Sequence, residues 1–516
     1  MELMTRRYPV GIQTFERIIK EGYIYVDKTD LVWELAHYAT FIFMSRPRRF
    51  GKSLLTSTLD SYFKGDRELF EGLKIMQLEK EWTQYPVLHL DLSITKGQDS
   101  AESLRETLIW MMKPLAEIYG REDDENTPGK LLTGLIHRAK AKTGRQVAVI
   151  IDEYDAPLLD VLHDQATLDA MRKVMQEFYV PLKANEAYLK FCFITGITKF
   201  SQLSIFSTIC GFTEEELCTT LWPDVERLAK VFKITPEEMH DKLKQRYDGY
   251  HFAAGAPEVY NPFSLLNCFL HRRLNNYWFA SGTPTFLIRQ MQHFHTDITS
   301  LDSLDVPESA FDQPTENMKD ALPLLYQSGY LTIKDYDPDT EAYELSIPNQ
   351  EVRVGYVYGL LPTYTGLDSG DVQLGFAAKF WKALKQGDID LAMQHMQAYL
   401  AGIPYVEGFK EKLAEAKTKE GFYEYTFYLI FSMLNVYVRT QVKVAAGRTD
   451  MVIFMPDTIY VMELKVGDTA QHALDQINNR GYAKPYLTDG RRVVKVGVRF
   501  DAEKHTVDEW LVEEDK

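Results

Sequence analysis

The chain has 516 residues and a formal net charge of −16, with 45% hydrophobic and 26% charged residues, so a globular protein of two to four domains is expected. The acidic excess excludes a generally basic, histone-like DNA-binding protein. It does not exclude a nuclease, which needs only a local basic path for the phosphates. The four cysteines show no C-x-x-C spacing, which argues against a zinc knuckle or a disulfide framework. No leader and no apolar run of ~18 residues is present, so a cytoplasmic protein without membrane contact is expected.

Four apolar segments in the first 200 residues alternate with helical patterns. They are the predicted strands 40–45, 86–92, 147–152 and 189–195. Near-continuous apolar strands separated by helices are typical of a parallel sheet that is covered on both faces. The N-terminal region is therefore predicted to be α/β.

The segment FIFMSRPRRFGKSL (41–54) contains the end of the first strand and the start of a helical pattern. A strand, a tight loop and a helix form the context of a phosphate-binding loop, where backbone N–H groups and the helix dipole attract an anion. Lys52 would bridge the β- and γ-phosphates of a nucleotide, and Ser53 would hold Mg²⁺. Arg46 stands where the usual loop opens with glycine, so a chance Gly-Lys-Ser at a helix start is the alternative.

The segment VAVIIDEYD (147–155) supplies a second part of the same site. Asp152 closes a buried strand and would hold the water shell of Mg²⁺, while Glu153 would polarise an attacking water. Carboxylates at the end of a buried strand are costly without a cation. The alternative is that Asp152 only caps the next helix, but the two motifs together and in this order favour the nucleotide site.

Beyond residue 196 the sequence is mainly helical. Thr235–Pro236 and Asn261–Pro262 are typical pairs of an N-cap and a first helical residue, which predict helices at 235–247 and 261–270. A winged-helix-like module, made of a helix, a two-stranded wing and a helix, is predicted for 319–333, 343–349 and 351–364.

A second alternating region follows helices between about 370 and 435. Its predicted elements are the strands 436–444, 449–455 and 458–466, a helix at 469–482 and a strand at 493–500. Within it, twelve residues separate Asp450 from Glu463-Leu464-Lys465. Side chains two apart on a strand share a face, so Glu463 and Lys465 would lie together with Asp450 on the neighbouring strand.

This set of side chains would bind one or two Mg²⁺, and Lys465 would orient or activate an attacking water. The alternative is an exposed strand on which acidic and basic residues alternate. The apolar residues on both sides of Glu463 argue against that alternative, because they predict a strand buried on at least one face.

Longer motifs carry a family resemblance over nearly the whole chain. They are YPVGIQTFERIIKEGYIYVDKTDLV (8–32), FMSRPRRFGKSLL (43–55), IIDEYDAPL (150–158), FITGITKFSQLSIFSTI (193–209), YDGYHF (247–252), YNPFSLLN (260–267) and YWFASGTPTFLI (277–288). The chain resembles the AAA-ATPase-like family that is fused to a C-terminal PD-(D/E)XK nuclease domain. The resemblance implies an α/β protein with an N-terminal P-loop NTPase (a parallel sheet with flanking helices), a helical and winged-helix-like middle, and a C-terminal PD-(D/E)XK α/β nuclease fold.

The resemblance also assigns residues, and it makes Arg46 the family's own variant of the loop. The implied nucleotide-binding residues are Arg46, Pro47, Arg48, Arg49, Phe50, Gly51, Lys52, Ser53, Asp152 and Thr195. The implied catalytic residues are Glu153, Asp450, Glu463 and Lys465, and the implied metal ligands are Ser53, Asp152, Glu424, Asp450 and Glu463. Thr195 and Thr198 stand where such ATPases place a polar sensor of the γ-phosphate. Gln476 and Tyr482 match the helix after the third strand. Asp27 and Lys28 either approach the adenine or form a solvated turn.

The expected domains are a P-loop AAA-ATPase-like domain (1–210), a helical lid with the winged-helix-like region (211–368), a helical connector (369–404) and a nuclease-like domain (405–516). The implied cofactors are ATP and Mg²⁺, and the expected partners are nucleic acid, DNA foremost, and further copies of the chain. The implied function is an ATP cycle that controls a Mg²⁺-dependent nuclease, in defence or in the processing of mobile elements. Two alternatives stay open: a nucleotide-dependent binding switch with a non-cleaving nuclease fold, and an ATP-driven regulator that binds nucleic acid through the wing.

Overall fold

The computed structural model describes residues 6–161, 164–197, 208–280, 303–311, 320–356, 370–401, 437–444, 447–455, 457–501 and 506–515, with isolated positions between 287 and 301. The chain divides into two compact units. The first comprises Met1–Phe294 and Ser303–Asn349, and the second comprises His295–Asp302 and Gln350–Lys516. Within the described residues, no helix combines the length and the apolar character needed to cross a bilayer.

The first unit is built on a four-stranded parallel sheet in the order β1-β4-β3-β2. Its strands are β1 (Phe41–Ser45), β2 (Val87–Asp91), β3 (Val147–Asp152) and β4 (Leu189–Gly196). Every residue of β3 is buried, as expected of a central strand in a sheet covered on both faces. The predicted parallel sheet is confirmed, and each predicted strand agrees with the structure to within one residue at either end.

Helices lie before and between these strands. They are α1 (Phe15–Lys20), α2 (Thr29–Tyr38), α3 (Lys52–Lys64), α4 (Ile75–Leu78), α5 (Ala101–Met111), α6 (Lys113–Tyr119), α7 (Pro128–Thr143), α8 (Ala156–Leu159) and α9 (Gln165–Ala184). Leu135 of α7 and Val174 of α9 are fully buried in one apolar core with Val149 of β3. This core holds the central strand rigidly, and with it the acidic pair at the strand's end.

A mainly helical region follows the sheet. Its elements are β5 (Phe212–Thr213), α10 (Glu214–Thr219), α11 (Trp222–Phe232), α12 (Pro236–Tyr247), β6 (Val259–Tyr260), α13 (Pro262–His271) and α14 (Tyr277–Ala280). Thr235 and Glu238 form a capping box at the start of α12, and the Asn261 side chain accepts a hydrogen bond from the backbone N–H of Ser264 at the start of α13. Both predicted helix starts are confirmed.

A three-stranded antiparallel sheet completes the first unit. Its elements in chain order are β7 (Leu304–Pro307), α15 (Glu308–Phe311), α16 (Leu322–Gln327), β8 (Thr332–Asp337) and β9 (Ala342–Ser346), with the strand order β7-β9-β8. The helix predicted over 319–333 is wrong in its second half, because the chain turns at Gly329 (φ 86°) and enters β8. The predicted two-stranded wing is wrong in strand number, since β7 adds a third strand. Residues 350–356 are helical, and the rest of the last predicted helix lies outside the described residues.

The second unit carries a five-stranded mixed sheet. Its elements are α17 (Gly370–Lys385), α18 (Ile389–Ala401), β10 (Tyr437–Val444), β11 (Gly447–Phe454), β12 (Thr458–Val466), α19 (Ala470–Arg480), β13 (Arg492–Asp501) and β14 (Thr506–Asp515). The strands are adjacent in chain order; β12 and β13 are parallel, and the other three pairs are antiparallel. The predicted order of strands and helix is confirmed, whereas β14 was not predicted.

Candidate active sites

The first candidate site lies at the carboxyl ends of the parallel strands, where β1 passes through a tight loop into α3. The loop needs two left-handed residues, Arg49 (φ 70°) and Gly51 (φ 89°). The buried Lys52 ammonium donates to the carbonyl oxygens of Arg46 and Pro47, each at 3.0 Å. Burial lowers the pKa of Lys52, against the opposing charge of Asp152. The lysine is therefore held inside the loop by neutral carbonyls, which an anionic ligand would readily replace.

Part of the predicted loop packs against the protein interior. The Arg46 guanidinium lies 4.5 Å from the ring centre of Phe252, and its Nη1 donates to the carbonyl of Ser45 at 2.8 Å. Burial lowers the pKa of Arg46. Phe50 is almost fully buried and meets the rings of Tyr250 and Phe252 edge-on. Arg46 and Phe50 therefore fix the shape of the loop.

The other two arginines of the loop lie beside the helical region that follows the sheet. The Arg49 guanidinium lies 4.7 Å from the ring centre of Phe263 in α13, and the Arg48 carbonyl accepts a hydrogen bond from the Trp278 indole at 3.2 Å. Both arginines also line a cavity that lies beside the loop. The helical region thus contacts the phosphate loop directly.

Asp152 and Ser53 come together below the loop. The Asp152 side chain is 2% exposed and accepts a hydrogen bond from the Ser53 hydroxyl. Burial raises the pKa of the Asp152 carboxyl, whereas the Ser53 hydroxyl and the Lys52 ammonium lower it. A buried carboxylate beside a hydroxyl is the oxygen donor set that Mg²⁺ prefers, so these residues fit a magnesium ion.

Glu153 follows with a left-handed backbone (φ 51°), and its N–H donates to Asp152 Oδ1 at 3.0 Å. A non-glycine residue in this conformation is strained and is over-represented at functional sites. Its carboxylate forms an ion pair with Lys96, which follows the short 3₁₀ helix after β2. Lys96 also lines the cavity and has no counterpart in the sequence prediction, because a lone lysine in a loop carries no pattern.

A cavity of about 480 Å³ opens beside the loop. Its wall includes six of the eight predicted loop residues, from Arg48 to Ser53, and Glu153. The apolar part of the wall includes Pro9, Ile12, Ile24, Phe263 and Leu266. These residues were not predicted individually, since they come from segments that lie far apart in the sequence and are joined only by the fold.

The segment YVDKT (25–29) is held by hydrogen bonds and an ion pair within the protein. The Asp27 carboxylate accepts hydrogen bonds from the backbone N–H groups of Thr29 at 3.0 Å and of Lys74 at 2.8 Å. Lys28 is buried, forms an ion pair with Glu216 at 2.8 Å and lines the cavity. The solvated turn considered for this segment is therefore wrong for Lys28.

Thr195 lies in β4 between β1 and β3, at the same edge of the sheet as Asp152. Its hydroxyl is buried, and no hydrogen-bond partner is found for it among the described residues. A buried hydroxyl without a partner is costly, so a ligand oxygen would stabilise it. Thr198 lies outside the described residues.

The second candidate site is formed where β11 and β12 pair. Asp450 and Glu463 are brought together across the pair: the Asp450 N–H donates to Glu463 Oε2 at 3.3 Å, and the Leu464 N–H donates to Asp450 Oδ2 at 2.8 Å. Lys465 Nζ lies 3.3 Å from Glu463 Oε1, as expected for residues i and i+2 on one face. The predicted convergence of the three side chains is present.

Glu463 is 1% exposed. Burial, followed by the charge of Asp450, raises the pKa of the Glu463 carboxyl to about 7, although Lys465 opposes the rise. Gln476 of α19 donates to Glu463 Oε1 and lies 3.4 Å from the Tyr482 hydroxyl. Two acidic side chains held together in a buried place fit a divalent cation, which would offset their mutual repulsion.

One further predicted residue cannot be placed in this site. Glu424 lies outside the described residues. Glu424 as an auxiliary metal ligand therefore stays a prediction.

Comparison with known protein families matches each of the two candidate sites to a different domain. A family model described as "Predicted AAA-ATPase" matches residues 9–206, and one described as "PD-(D/E)XK nuclease superfamily" matches residues 418–510. An "Uncharacterized protein in vnfD 5'region" from Azotobacter chroococcum mcd 1 is 31% identical over 539 aligned residues, which cover 98% of this chain and 99% of the relative. No solved structure matches the chain.

Proposed function

Because the chain belongs to the family of predicted AAA-ATPases with a C-terminal PD-(D/E)XK nuclease superfamily domain, we propose that it hydrolyses ATP and cleaves nucleic acid, with the nucleotide cycle controlling cleavage. One observation carries the proposal: each unit holds a buried carboxylate near a lysine, Asp152 near Lys52 in the first and Glu463 near Lys465 in the second. Both arrangements suit chemistry on phosphate esters, in which a cation and a lysine neutralise developing negative charge.

In the first unit, the triphosphate would lie against the loop and the start of α3. Lys52 would exchange the carbonyls of Arg46 and Pro47 for phosphate oxygens, and Ser53 with Asp152 would hold Mg²⁺. Bound Mg²⁺ supplies charge neutralisation at the phosphates. Glu153 would orient the attacking water once its ion pair with Lys96 opens.

The base would occupy the apolar part of the 480 Å³ cavity. Ile12 and Ile24 line one part of the wall, and Phe263 and Leu266 of α13 line another. Stacking on Phe263 and contacts with the aliphatic side chains suit a purine ring. Thr195, with its buried hydroxyl, would sense the terminal phosphate.

In the second unit, Asp450 and Glu463 would hold Mg²⁺, joined by Glu424. Lys465 would orient the attacking water beside the scissile phosphate, and bound Mg²⁺ would stabilise the charge that develops on it. Gln476 keeps Glu463 in place through its hydrogen bond to Oε1. A role in defence or in the processing of mobile elements follows from the pairing of the two activities.

The proposal is tested by incubating the full chain and Mg²⁺ with linear, circular and single-stranded DNA and with RNA, with and without ATP. Wild type is compared with Glu153→Gln and Lys465→Ala. We expect Glu153→Gln to bind ATP without hydrolysing it and to lose control of cleavage, and Lys465→Ala to hydrolyse ATP without cleaving any substrate. Cleavage that is unchanged in Lys465→Ala, or absent from wild type with every substrate, would leave the nucleotide-dependent binding switch as the better explanation.

A further inference from the structure

A cluster of three potential metal ligands, none of which belongs to either candidate active site, lies in the helical region of the first unit. The carboxylate of Glu214, the thiol of Cys218 and the imidazole of His240 each place one ligand atom within 4.8 Å of the others. Glu214 and Cys218 stand four residues apart on α10, and His240 comes from α12. Residues i and i+4 lie on one face of a helix, so two ligands come from one helix and the third from its neighbour.

The three ligand atoms point at one another. Glu214 Oε1 lies 2.5 Å from His240 Nε2 and 3.5 Å from Cys218 Sγ. A metal ion would take the place of the hydrogen between Oε1 and Nε2. The neutral imidazole would then carry its one N–H on Nδ1, any further proton would leave to solvent, and the thiol would bind as a thiolate after releasing its proton to solvent.

The surroundings of the cluster orient its members. The Tyr260 hydroxyl donates to Glu214 Oε2 at 2.7 Å, which turns the other oxygen of the carboxylate toward the cluster. The second ring nitrogen of His240 lies 3.6 Å from Asp241 Oδ1. This distance is too long for a hydrogen bond, but a small rotation of the exposed Asp241 side chain would bring its carboxylate to the outer ring nitrogen, as is common for histidines that bind zinc.

We propose that Glu214, Cys218 and His240 form a transition-metal site that binds Zn²⁺. One sulfur, one nitrogen and one oxygen ligand favour Zn²⁺ over Mg²⁺ or Ca²⁺, which take oxygen ligands only. Three protein ligands leave a fourth position for water, and Cys218 is exposed, so the ion can enter from solvent.

Metal binding would cross-link α10 to α12. Both helices contribute to one apolar core through Leu217 and Leu243, so the added link fixes elements that already pack together. Glu216 of α10 carries the ion pair with Lys28, which lines the cavity beside the phosphate loop. Metal binding at the proposed site does not require a nucleotide. A bound metal would, however, restrain the part of the cavity wall that contains Lys28.

One neighbouring cation opposes the site. Lys244 Nζ lies 3.7 Å from Glu214 Oε2 and would repel a metal ion. Its side chain is about half exposed, so it can swing into solvent. Replacing it by alanine should therefore strengthen metal binding.

The test is a titration of the metal-stripped full chain with Co²⁺ in excess Mg²⁺, which occupies the all-oxygen sites. A thiolate–cobalt charge-transfer band that saturates at one equivalent is expected in wild type and in His271→Gln, which changes an exposed histidine of α13. Lys244→Ala should show the same band with tighter binding than wild type. Cys218→Ser should lose the band, and His240→Gln should bind at least 10-fold more weakly. As a second readout, Zn²⁺ should raise the melting temperature of wild type but not of His240→Gln. No band in wild type, or equal binding in His240→Gln, would overturn the proposal.

Discussion

Several charged side chains in this protein are buried away from water, which costs free energy unless a partner offsets the charge. Lys52 is a buried cation held by backbone carbonyls, and Asp152 is a buried carboxylate beside it. Asp248, in the YDGYHF motif, is another buried acid. It lies 4.0 Å from Lys244, and its Oδ1 has no hydrogen-bond partner within the described part of the chain. Each such residue predicts a measurable effect of its removal.

Lys52→Ala should weaken ATP binding by about 10- to 100-fold, because charge-assisted hydrogen bonds to phosphate are each worth about 1.5–3 kcal/mol. The melting temperature should change little, since the variant removes a desolvated charge together with two hydrogen bonds. Binding is measured by fluorescence titration with a labelled ATP analogue. Lys64→Ala, at the exposed end of the same helix, is the matched control and should bind ATP as wild type does. Equal losses of ATP affinity in both variants would show that Lys52 does not contact the phosphates of ATP.

Asp248→Asn should stabilise the protein at pH 7.5. Burial raises the pKa of Asp248 to about 6, with Glu258 and Glu214 adding to the rise and the Gly249 N–H, followed by Lys244, opposing it. Protonation therefore stabilises the folded state fully below about pH 4, and this stabilisation is lost as the pH rises through about 6. The charged form costs up to about 3 kcal/mol, which the neutral amide avoids.

The check is the difference in melting temperature between Asp248→Asn and wild type at pH 7.5 and 4.5. The difference should favour the variant at pH 7.5 and shrink at pH 4.5. Asp241→Asn, which changes an exposed acid of α12, the helix that ends just before Asp248, should show no such trend. A variant that is less stable than wild type at pH 7.5 would show that the Asp248 charge is stabilising.

At the scale of elements, the sequence predicted what depends on local patterns. The apolar strand VAVIID and the N-caps Thr235 and Asn261 were predicted because burial and capping leave a clear local signal. β14 was missed because TVDEWLVEED has too many acids to suggest a strand, although pairs such as Lys495–Glu513 stabilise it beside β13. The wall of the cavity beside the loop was missed because no local pattern relates Ile24 to Phe263.

The turn between α16 and β8 shows how one element positions another. Gly329 has φ 86°, and a Cβ placed there would come within 2.7 Å of the Pro47 side chain in the phosphate loop. Gly329→Ala should therefore destabilise the protein by about 2–3 kcal/mol, from backbone strain together with a clash. It should also weaken ATP binding, because the loop must shift.

Gly255→Ala is the control for that variant, since Gly255 has φ 71° but open space around its Cα. It should cost only about 1 kcal/mol and leave ATP binding unchanged. The check is a comparison of the melting temperatures and the ATP affinities of the two variants. Equal effects on ATP binding would show that the contact with Pro47 does not shape the loop.

At the scale of the whole molecule, the net charge limits how nucleic acid can be bound. With 74 acidic and 58 basic residues, the protein repels a polyanion at long range. At the proposed cleavage site, Asp450 and Glu463 add two carboxylates where a phosphate must approach, with Lys465 alongside. Productive binding must therefore depend on a cation at that site.

Mg²⁺ should consequently raise the affinity of the Lys465→Ala variant for DNA by at least 10-fold, because the variant binds without cutting and the cation removes the repulsion between carboxylates and phosphate. Affinity is measured by fluorescence anisotropy with a labelled duplex, at an ionic strength held constant with KCl so that general screening is not mistaken for the effect. In the Lys465→Ala background, adding Asp450→Asn should improve binding in EDTA and largely remove the response to Mg²⁺. If the single and double variants respond equally to Mg²⁺, the ion acts elsewhere on the protein or on the DNA itself, and the carboxylate pair is not where the phosphate binds.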